Sequence, residues 1–196
     1  MQIVKNAFPD IVFHQLQSSI LDDLFPWYYG RHTNINTKIQ DNLFLYGWQH
    51  TVKIGDELPN PDMLNLIQPA FATSLATIGQ KLKDILRIRV VLNTVTDKPY
   101  TVGAHVDYEQ KHMTALLYIN DSDGPTIIYN ERYLPLTGIG SADTIRSIQH
   151  TLTIKNKIEP IANTMVTFNG LHYHSGTTPV STARRIVLNI NYTVTE

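Results

Sequence analysis

The spacing of hydrophobic residues changes near Arg87, and this change most constrains what the chain can fold into. Before Arg87, apolar residues recur every three or four positions, which places them on one face of an α-helix. After Arg87, apolar and polar residues alternate over short runs, as they do in half-buried β-strands. This order predicts helices over about residues 1–86 that support a β-rich core over about residues 87–196.

Two helices are predicted in the first part. The stretch DIVFHQLQSSILDDLF, after Pro9, carries apolar residues at helical spacing. Asn60-Pro61 is typical of an N-cap followed by a first-turn proline, which predicts a second helix. Beyond Pro69 the apolar residues continue at steps of four and three, so this helix is expected to run on to Ile85. The residues with that spacing are Phe71, Leu75, Ile78, Leu82 and Ile85.

The second part contains short β-rich runs separated by turn signals such as DSDG at residues 121–124. The runs are RIRVVLNT, TALLYIN, PTIIYN, HTLTIK, NTMVTFN and RRIVLNINYTV. Their spacing predicts a mainly β fold, an antiparallel sandwich or jelly roll packed on the N-terminal helices. A chain of 196 residues without an internal repeat or linker is expected to form a single domain.

Composition excludes several classes of function. The net charge is −1 and basic residues form no run, which argues against nucleic acid as a partner. The chain has no cysteine, so a metal would need His, Asp or Glu ligands. No signal peptide or membrane-spanning window is present, so we expect a soluble, cytoplasmic protein with no membrane partner.

One candidate metal site combines two separated segments. His105 and Asp107 in GAHVDYE point the same way on an extended backbone, although such a triplet alone is weak evidence. His174 lies far downstream in FNGLHYHSG, where a sandwich can bring it back to the pair. Two histidines and a carboxylate form the facial triad of non-haem iron oxygenases, which leaves positions open for a 2-oxo acid and dioxygen. His172 shares a strand face with His174, so alternation leaves both as candidates.

The last β-rich run suggests a partner for such a co-substrate. Ile186, Leu188 and Ile190 share one face, whereas Arg185, Val187, Asn189 and Asn191 share the other. The polar face is either exposed to solvent or, with helices outside a jelly roll, lines a ligand cavity. In the second case Arg185 can grip a carboxylate, and Arg184 points to the apolar side. Tyr118 is either a phenol donor to the same carboxylate or an ordinary core tyrosine.

These segments resemble the 2-oxoglutarate/Fe(II) oxygenases, specifically the small, phage-type members similar to prolyl 4-hydroxylases. The resembling pieces are RIRVVLNT, HVDYE, TALLYIN, VTFNGLHYHSGTTP and RRIVLNINY, with FPWYYG as a softer match. The resemblance implies a double-stranded β-helix fold, His174 as the distal metal ligand, Arg185 as the 2-oxoglutarate anchor, and Tyr118 as a contact of 2-oxoglutarate. It also implies Fe(II), 2-oxoglutarate and dioxygen as cofactors and co-substrates, with ascorbate as a supporting reductant.

The implied reaction is hydroxylation of a C–H bond with release of succinate and CO2, because a carboxylate, Asp107, occupies the third ligand position. A protein or peptide side chain, with proline first, is the expected substrate. The same chemistry on a nucleobase or a small metabolite is the alternative, and a non-catalytic jelly roll is a second one. The remaining histidines are expected at the surface or in hydrogen bonds: His14, His32, His50, His112 and His150.

Overall fold

The computed structural model describes residues 1–31, 46–134 and 151–195 of the chain. The helices in these ranges are α1 (Asp10–Leu21) and α2 (Pro61–Ala76). The strands are β1 (Gln2–Val4), β2 (Tyr28–Arg31), β3 (Tyr46–Ile54), β4 (Leu82–Thr94), β5 (Met113–Tyr118), β6 (Thr126–Arg132), β7 (Ile154–Ile158), β8 (Met165–Asn169), β9 (His172–Gly176) and β10 (Arg184–Val194). None of the described helices is long and apolar enough to cross a lipid bilayer.

Both predicted helices form, and their first turns follow the expected signals. The Pro9 carbonyl accepts hydrogen bonds from the backbone N–H groups of Val12 and Phe13, both at 2.9 Å. In α2 the side chain of Asn60 accepts from the backbone N–H of Met63 at 3.1 Å, which is the N-cap interaction that the Asn-Pro pair predicts.

The prediction that the second helix extends to Ile85 is wrong. Helix α2 ends at Ala76, Gly79 adopts a positive φ of 72°, and β4 already begins at Leu82. A register shift in the pairing of β4 with β10 places Arg87 opposite Asn191 but Ile85 opposite Tyr192. This bulge brings apolar residues to one side at a spacing that imitates a helix.

The N-terminal part also contains strands that the spacing did not predict. Strands β1, β2 and β3 all precede residue 86 and all lie in one sheet with β4. Two of them, β1 and β2, are the edge strands of that sheet. These edge strands have only three and four residues, too few to show a clear alternation of apolar and polar residues. The helical support predicted for residues 1–86 is therefore mixed helix and strand.

Two antiparallel sheets form the body of the fold, which confirms the mainly β, jelly-roll prediction. The large sheet has the strand order β1-β8-β5-β10-β4-β3-β2, and the small sheet has the order β7-β6-β9. The helices pack on one face of the large sheet, where a single apolar cluster includes residues of α1, α2, β4 and β10. A second apolar cluster lies between the sheets: Leu116, Tyr118, Ile128, Ile158, Val166, Phe168 and Val187.

Candidate active site

The inner face of β4 and β10 carries the polar groups of the site. Four cross-strand pairs follow one another on this face: Arg185 with Asn93, Val187 with Val91, Asn189 with Arg89, and Asn191 with Arg87. The alternate residues Ile186, Leu188 and Ile190 belong to the apolar cluster on the helix side. The polar face of β10 is therefore buried inside the protein rather than exposed, with Asn191 at 0% and Arg185 at 4% exposure.

Three of the predicted site residues meet at one point. His105, Asp107 and His174 each offer a ligand atom, and these atoms lie within 4.8 Å of one another. A two-way backbone bridge joins His105 to His174, with N···O distances of 3.1 and 3.0 Å. This bridge holds the segment after β4 against β9, so two distant parts of the chain share the group. Their role as metal ligands remains a prediction.

Both imidazoles are oriented through their Nδ1 atoms. Nδ1 of His105 lies 3.0 Å from the Gly103 carbonyl oxygen, and Nδ1 of His174 lies 3.2 Å from the His172 carbonyl oxygen. A carbonyl only accepts, so each Nδ1 carries the hydrogen and each Nε2 keeps a free lone pair. Burial, aided by His105, lowers the pKa of His174 to about 4. The ring is therefore neutral at neutral pH, the form that binds a metal.

The Asp107 carboxylate is held by neighbours that the sequence did not single out for this task. Its Oδ1 accepts from Nη2 of Arg87 at 2.5 Å, and its Oδ2 accepts from Nδ2 of Asn191 at 2.9 Å and of Asn189 at 3.2 Å. Burial alone would raise the pKa of this carboxyl, but His174, which is protonated at low pH, and the Arg87 guanidinium outweigh it and hold the pKa well below its usual range. The signal in the sequence that could have identified Arg87 is its alternation with Arg89 in RIRVV, which places both arginines on one face of a strand.

The structure separates His174 from its rival His172. Nδ1 of His172 donates to the Tyr129 carbonyl at 2.9 Å, and its Nε2 accepts from Nε of Arg132 at 3.0 Å. Nζ of Lys155 lies 3.4 Å from the same Nε2. Both nitrogens of His172 are thus occupied, and this residue is not part of the three-residue group.

A cavity of about 100 Å³ extends from the two histidines to Arg185. It is lined by Val91, Asn93, Val102, His105, Leu116, Thr126, His174, Ser175, Gly176, Arg185, Val187 and Asn189. The position of Arg185 agrees with its predicted inward direction, whereas Arg184, on the opposite face, is exposed.

The guanidinium of Arg185 has hydrogen-bond partners but no counter-charge among the described residues. Its Nε donates to the Gly124 carbonyl at 2.8 Å and its Nη2 donates to Oγ1 of Thr126 at 2.7 Å. Burial lowers the pKa of Arg185, but an arginine stays charged in proteins. A buried cation without a neighbouring anion is costly, so an anionic ligand would complete this end of the cavity.

Tyr118 lies behind the cavity wall. It is fully buried, and its hydroxyl donates to Oγ1 of Thr126 at 2.9 Å. Oγ1 of Thr126 therefore accepts from both Tyr118 and Arg185, which leaves its own hydrogen free to be donated into the cavity. Sequence reasoning missed Thr126, because a threonine in PTIIYN is an ordinary strand residue. A direct contact of Tyr118 with a ligand remains a prediction.

The other histidines are placed largely as expected. His14 is exposed, and His50 bonds to the Pro26 carbonyl and to Asn60. His112 bonds through Nδ1 to the Gln110 carbonyl at 2.8 Å but is buried, not on the surface. Its ring lies against Gly170 of the FNG motif, where any Cβ would overlap the imidazole. His32 and His150 lie outside the described residues.

The residues present fit a divalent metal and a dicarboxylate. Two imidazole nitrogens and one carboxylate oxygen are the donor set of non-haem iron sites. The carbonyl partners at Nδ1 and the arginine on the carboxylate supply the outer hydrogen bonds that such ligands need. The unneutralised Arg185 lies at the other end of the same cavity, where a second carboxylate would be bound.

Comparison with known proteins gives similarity in structure only. No protein-family model and no curated protein sequence matches the chain. A 2OG-Fe(II) family oxidoreductase from Burkholderia pseudomallei matches with a TM-score of 0.61 at 15% identity, over 97% of this chain and 84% of that one.

Two further solved structures are similar to the same extent. A Trichoplax adhaerens prolyl hydroxylase, in complex with a hypoxia-inducible-factor peptide fragment, matches with a TM-score of 0.59 at 13% identity, over 97% and 82% of the two chains. An alpha-ketoglutarate-dependent epimerase from nogalamycin biosynthesis matches with a TM-score of 0.62 at 12% identity, over 97% and 76%. The chain has the fold of the 2-oxoglutarate/Fe(II) oxygenases, prolyl hydroxylases among them.

Proposed function

We propose that this protein is an Fe(II)- and 2-oxoglutarate-dependent oxygenase that hydroxylates a C–H bond. One observation carries the proposal: the two imidazoles of a His-Asp-His group line the same cavity as a buried arginine that has no counter-charge among the described residues. In the reaction, one atom of dioxygen enters the substrate as a hydroxyl group. The other enters succinate as 2-oxoglutarate loses CO2, so the co-substrate and the C–H bond each supply two of the four electrons that reduce dioxygen.

Each residue has a defined task in this proposal. Nε2 of His105, Nε2 of His174 and the carboxylate of Asp107 would hold the metal. Arg185 and Thr126 would bind the distal carboxylate of 2-oxoglutarate, with Tyr118 supporting Thr126 from behind. Iron and 2-oxoglutarate, when bound, supply the oxidising chemistry that protein side chains lack.

The surrounding residues act on the orientation and charge of the site. Arg87 binds Oδ1 of Asp107, so that Oδ2 faces His174 at 3.6 Å. The buried environment of His174 keeps its imidazole neutral and able to donate its lone pair. The apolar side chains of Val91, Val102, Leu116 and Val187 line the cavity and reduce its water content.

The chain is proposed to act as one domain. Its proposed substrate is a side chain of a protein or peptide, and proline is the first candidate residue. The peptide-bound Trichoplax prolyl hydroxylase of the same fold supports this choice. A small metabolite is the second candidate, supported by the likeness to the epimerase of nogalamycin biosynthesis.

Succinate formation tests the proposal directly. Purified protein supplied with Fe(II), ascorbate and 2-oxoglutarate is expected to release succinate slowly even without a substrate. Asp107→Ala should abolish this release, because it removes the only carboxylate of the ligand group. Asp56→Ala, at an exposed position, is the matched control. Equal succinate from wild type and Asp107→Ala would remove the enzyme proposal.

A further inference from the structure

Arg89 is a second cation beside the site, partly buried, and few of its N–H groups have a close hydrogen-bond acceptor among the described residues. Its Nη1 lies 3.4 Å from Oε1 of Gln49, its Nη2 lies 3.7 Å from Oδ1 of Asp107, and its Nε is buried with no partner. A guanidinium has five N–H donors, so most of those on Arg89 have no close acceptor in the part of the chain that the structure describes. A cation in this state is costly unless a ligand completes its hydrogen bonds.

The neighbouring Asp107 is only a shared and more distant ion-pair partner of Arg89. Oδ1 of Asp107 already accepts from Arg87 at 2.5 Å, and Arg87 also donates through Nε to Oδ1 of Asn191 at 3.0 Å. In the proposed holoenzyme the same carboxylate would also share its charge with the metal. The negative charge of Asp107 is then divided between two arginines and a divalent ion. Of the two arginines, Arg89 is the more distant from the carboxylate.

Arg89 lies beside the reaction centre but outside the cavity that holds Arg185. It pairs across the sheet with Asn189 on one side and with Thr51 of β3 on the other. Asn189 lines the cavity, whereas Arg89 does not. About a quarter of the Arg89 side chain, 27%, is exposed, so a molecule from solvent can reach it.

The charge balance of the site with metal and 2-oxoglutarate bound also favours an anionic ligand at Arg89. Among the residues that the structure describes, the charges of Arg87, Arg89, Arg185 and the proposed divalent ion are opposed by those of Asp107 and the dicarboxylate 2-oxoglutarate. Positive charge remains in excess, and Arg89 is the cation with the weakest partners. An incoming carboxylate would balance part of this excess and would bind through the parallel N–H groups of a guanidinium.

We propose that Arg89 binds a carboxylate of the molecule that is oxidised, so that the substrate is an organic acid with this group close to the reacting carbon. The inference rests on the proposed function and adds the substrate class. The carboxylate belongs either to a free amino acid or to the C-terminus of a short peptide. Both sources present the same group to Arg89.

The experiment measures succinate formation by the iron-loaded wild-type protein with matched pairs of compounds. The panel contains the free L-amino acids and short peptides ending in proline, each compared with its C-terminal amide. We expect at least one acid to stimulate succinate formation, with kcat/KM about 10- to 100-fold above that of its amide, since a hydrogen bond to a charged group is worth this factor. Stimulation by the free amino acids or by the peptides shows which of the two carries the carboxylate that Arg89 binds.

Variants then test the assignment to Arg89. Arg89→Gln should bring kcat/KM for the acid down to about that for its amide, and Arg89→Lys should keep part of the preference because it keeps the charge. Arg184→Gln, an exposed arginine on the opposite face of β10, should keep the full preference. The comparison of acid with amide in the wild type does not depend on any variant folding.

The outcomes separate this inference from the proposed function. Equal stimulation by acid and amide, a panel without any stimulating acid, or an undiminished preference in Arg89→Gln would overturn the role of Arg89 alone. A wild-type protein that converts no 2-oxoglutarate under any of these conditions would overturn the proposed function and, with it, the role of Arg89.

Discussion

At the scale of single residues, the hydrogen bonds of the site decide which atoms are free to bind a ligand. The Nδ1 atoms of His105 and His174 are occupied by carbonyls, so only the Nε2 atoms are available. Oγ1 of Thr126 accepts two hydrogen bonds, so only its hydrogen is available. The same reasoning leaves Arg185 with a positive charge that no described carboxylate neutralises.

The two adjacent arginines of β10 should differ sharply in their effect on 2-oxoglutarate. Arg185→Ala is expected to raise the KM for 2-oxoglutarate by about 100-fold or more, the cost of removing one partner of a buried charge pair. Arg184→Ala should leave it nearly unchanged, because this side chain is exposed on the other face. Initial rates of succinate formation against 2-oxoglutarate concentration measure both, and the reverse ranking would show that the wrong arginine was chosen.

The same assay compares the contributions of Thr126 and Tyr118 to 2-oxoglutarate binding. Thr126→Val keeps the shape but removes the hydroxyl, and is expected to raise the KM for 2-oxoglutarate about tenfold, the worth of one charge-assisted hydrogen bond. Tyr118→Phe should have a smaller effect, because its hydroxyl reaches Thr126 and not the cavity. A larger effect of Tyr118→Phe would favour direct contact between Tyr118 and the ligand.

At the scale of secondary structure elements, local signals fix where the helices begin, and pairing fixes where the strands lie. Asn60 begins α2 and also donates from Nδ2 to Nε2 of His50 at 3.0 Å, which links the helix to β3. The bulge in strand β4 places Arg87 on the inner face of the sheet, where its guanidinium donates a hydrogen bond to Asp107.

Removing the cap of α2 should cost stability in a graded way. Asn60→Ala is expected to lower the free energy of unfolding by about 1 to 2 kcal/mol, since it loses the cap and the bond to His50. Asn60→Asp keeps the cap acceptor and should lose less. Urea denaturation followed by circular dichroism measures both variants, and equal losses would show that the cap itself contributes little.

At the scale of the whole molecule, the packing of two sheets buries the group of ionisable residues and makes stability depend on pH. Burial lowers the pKa of His174 from an ordinary 6.5 to about 4. Between these values the unfolded chain binds a proton that the folded protein does not. The metal-free protein is therefore expected to lose stability as the pH falls from about 6.5 towards 4.

The size of this effect can be measured on chelator-treated protein. Lowering the pH from 7 to 5 should reduce the free energy of unfolding by about 2 kcal/mol through His174. His174→Gln should lose this part of the dependence, whereas His14→Gln, at an exposed position, should keep it. A wild-type protein equally stable at both pH values would contradict the burial of a neutral His174.

Much of this protein could be predicted from local patterns. The Asn-Pro start of α2, the alternating faces of β10 and the order of β-rich runs depend on interactions between residues close in the chain, and they were confirmed. The spacing of His105 and Asp107 likewise belongs to one short segment. Such features follow from backbone geometry and side-chain alternation, which a sequence displays directly.

Other features exist only where distant segments meet. The end of α2 and the start of β4 were misplaced, because a bulge opposite β10 produced a helical spacing. The choice of His174 over His172, and the partners Arg87, Arg89 and Thr126, depend on cross-strand register and on which hydrogen bonds are already made. The sequence by itself determined the starts of the helices, the β-rich runs of the second part and the residues able to bind a metal. The tertiary structure decided which of their atoms face one another, because long-range packing sets those distances.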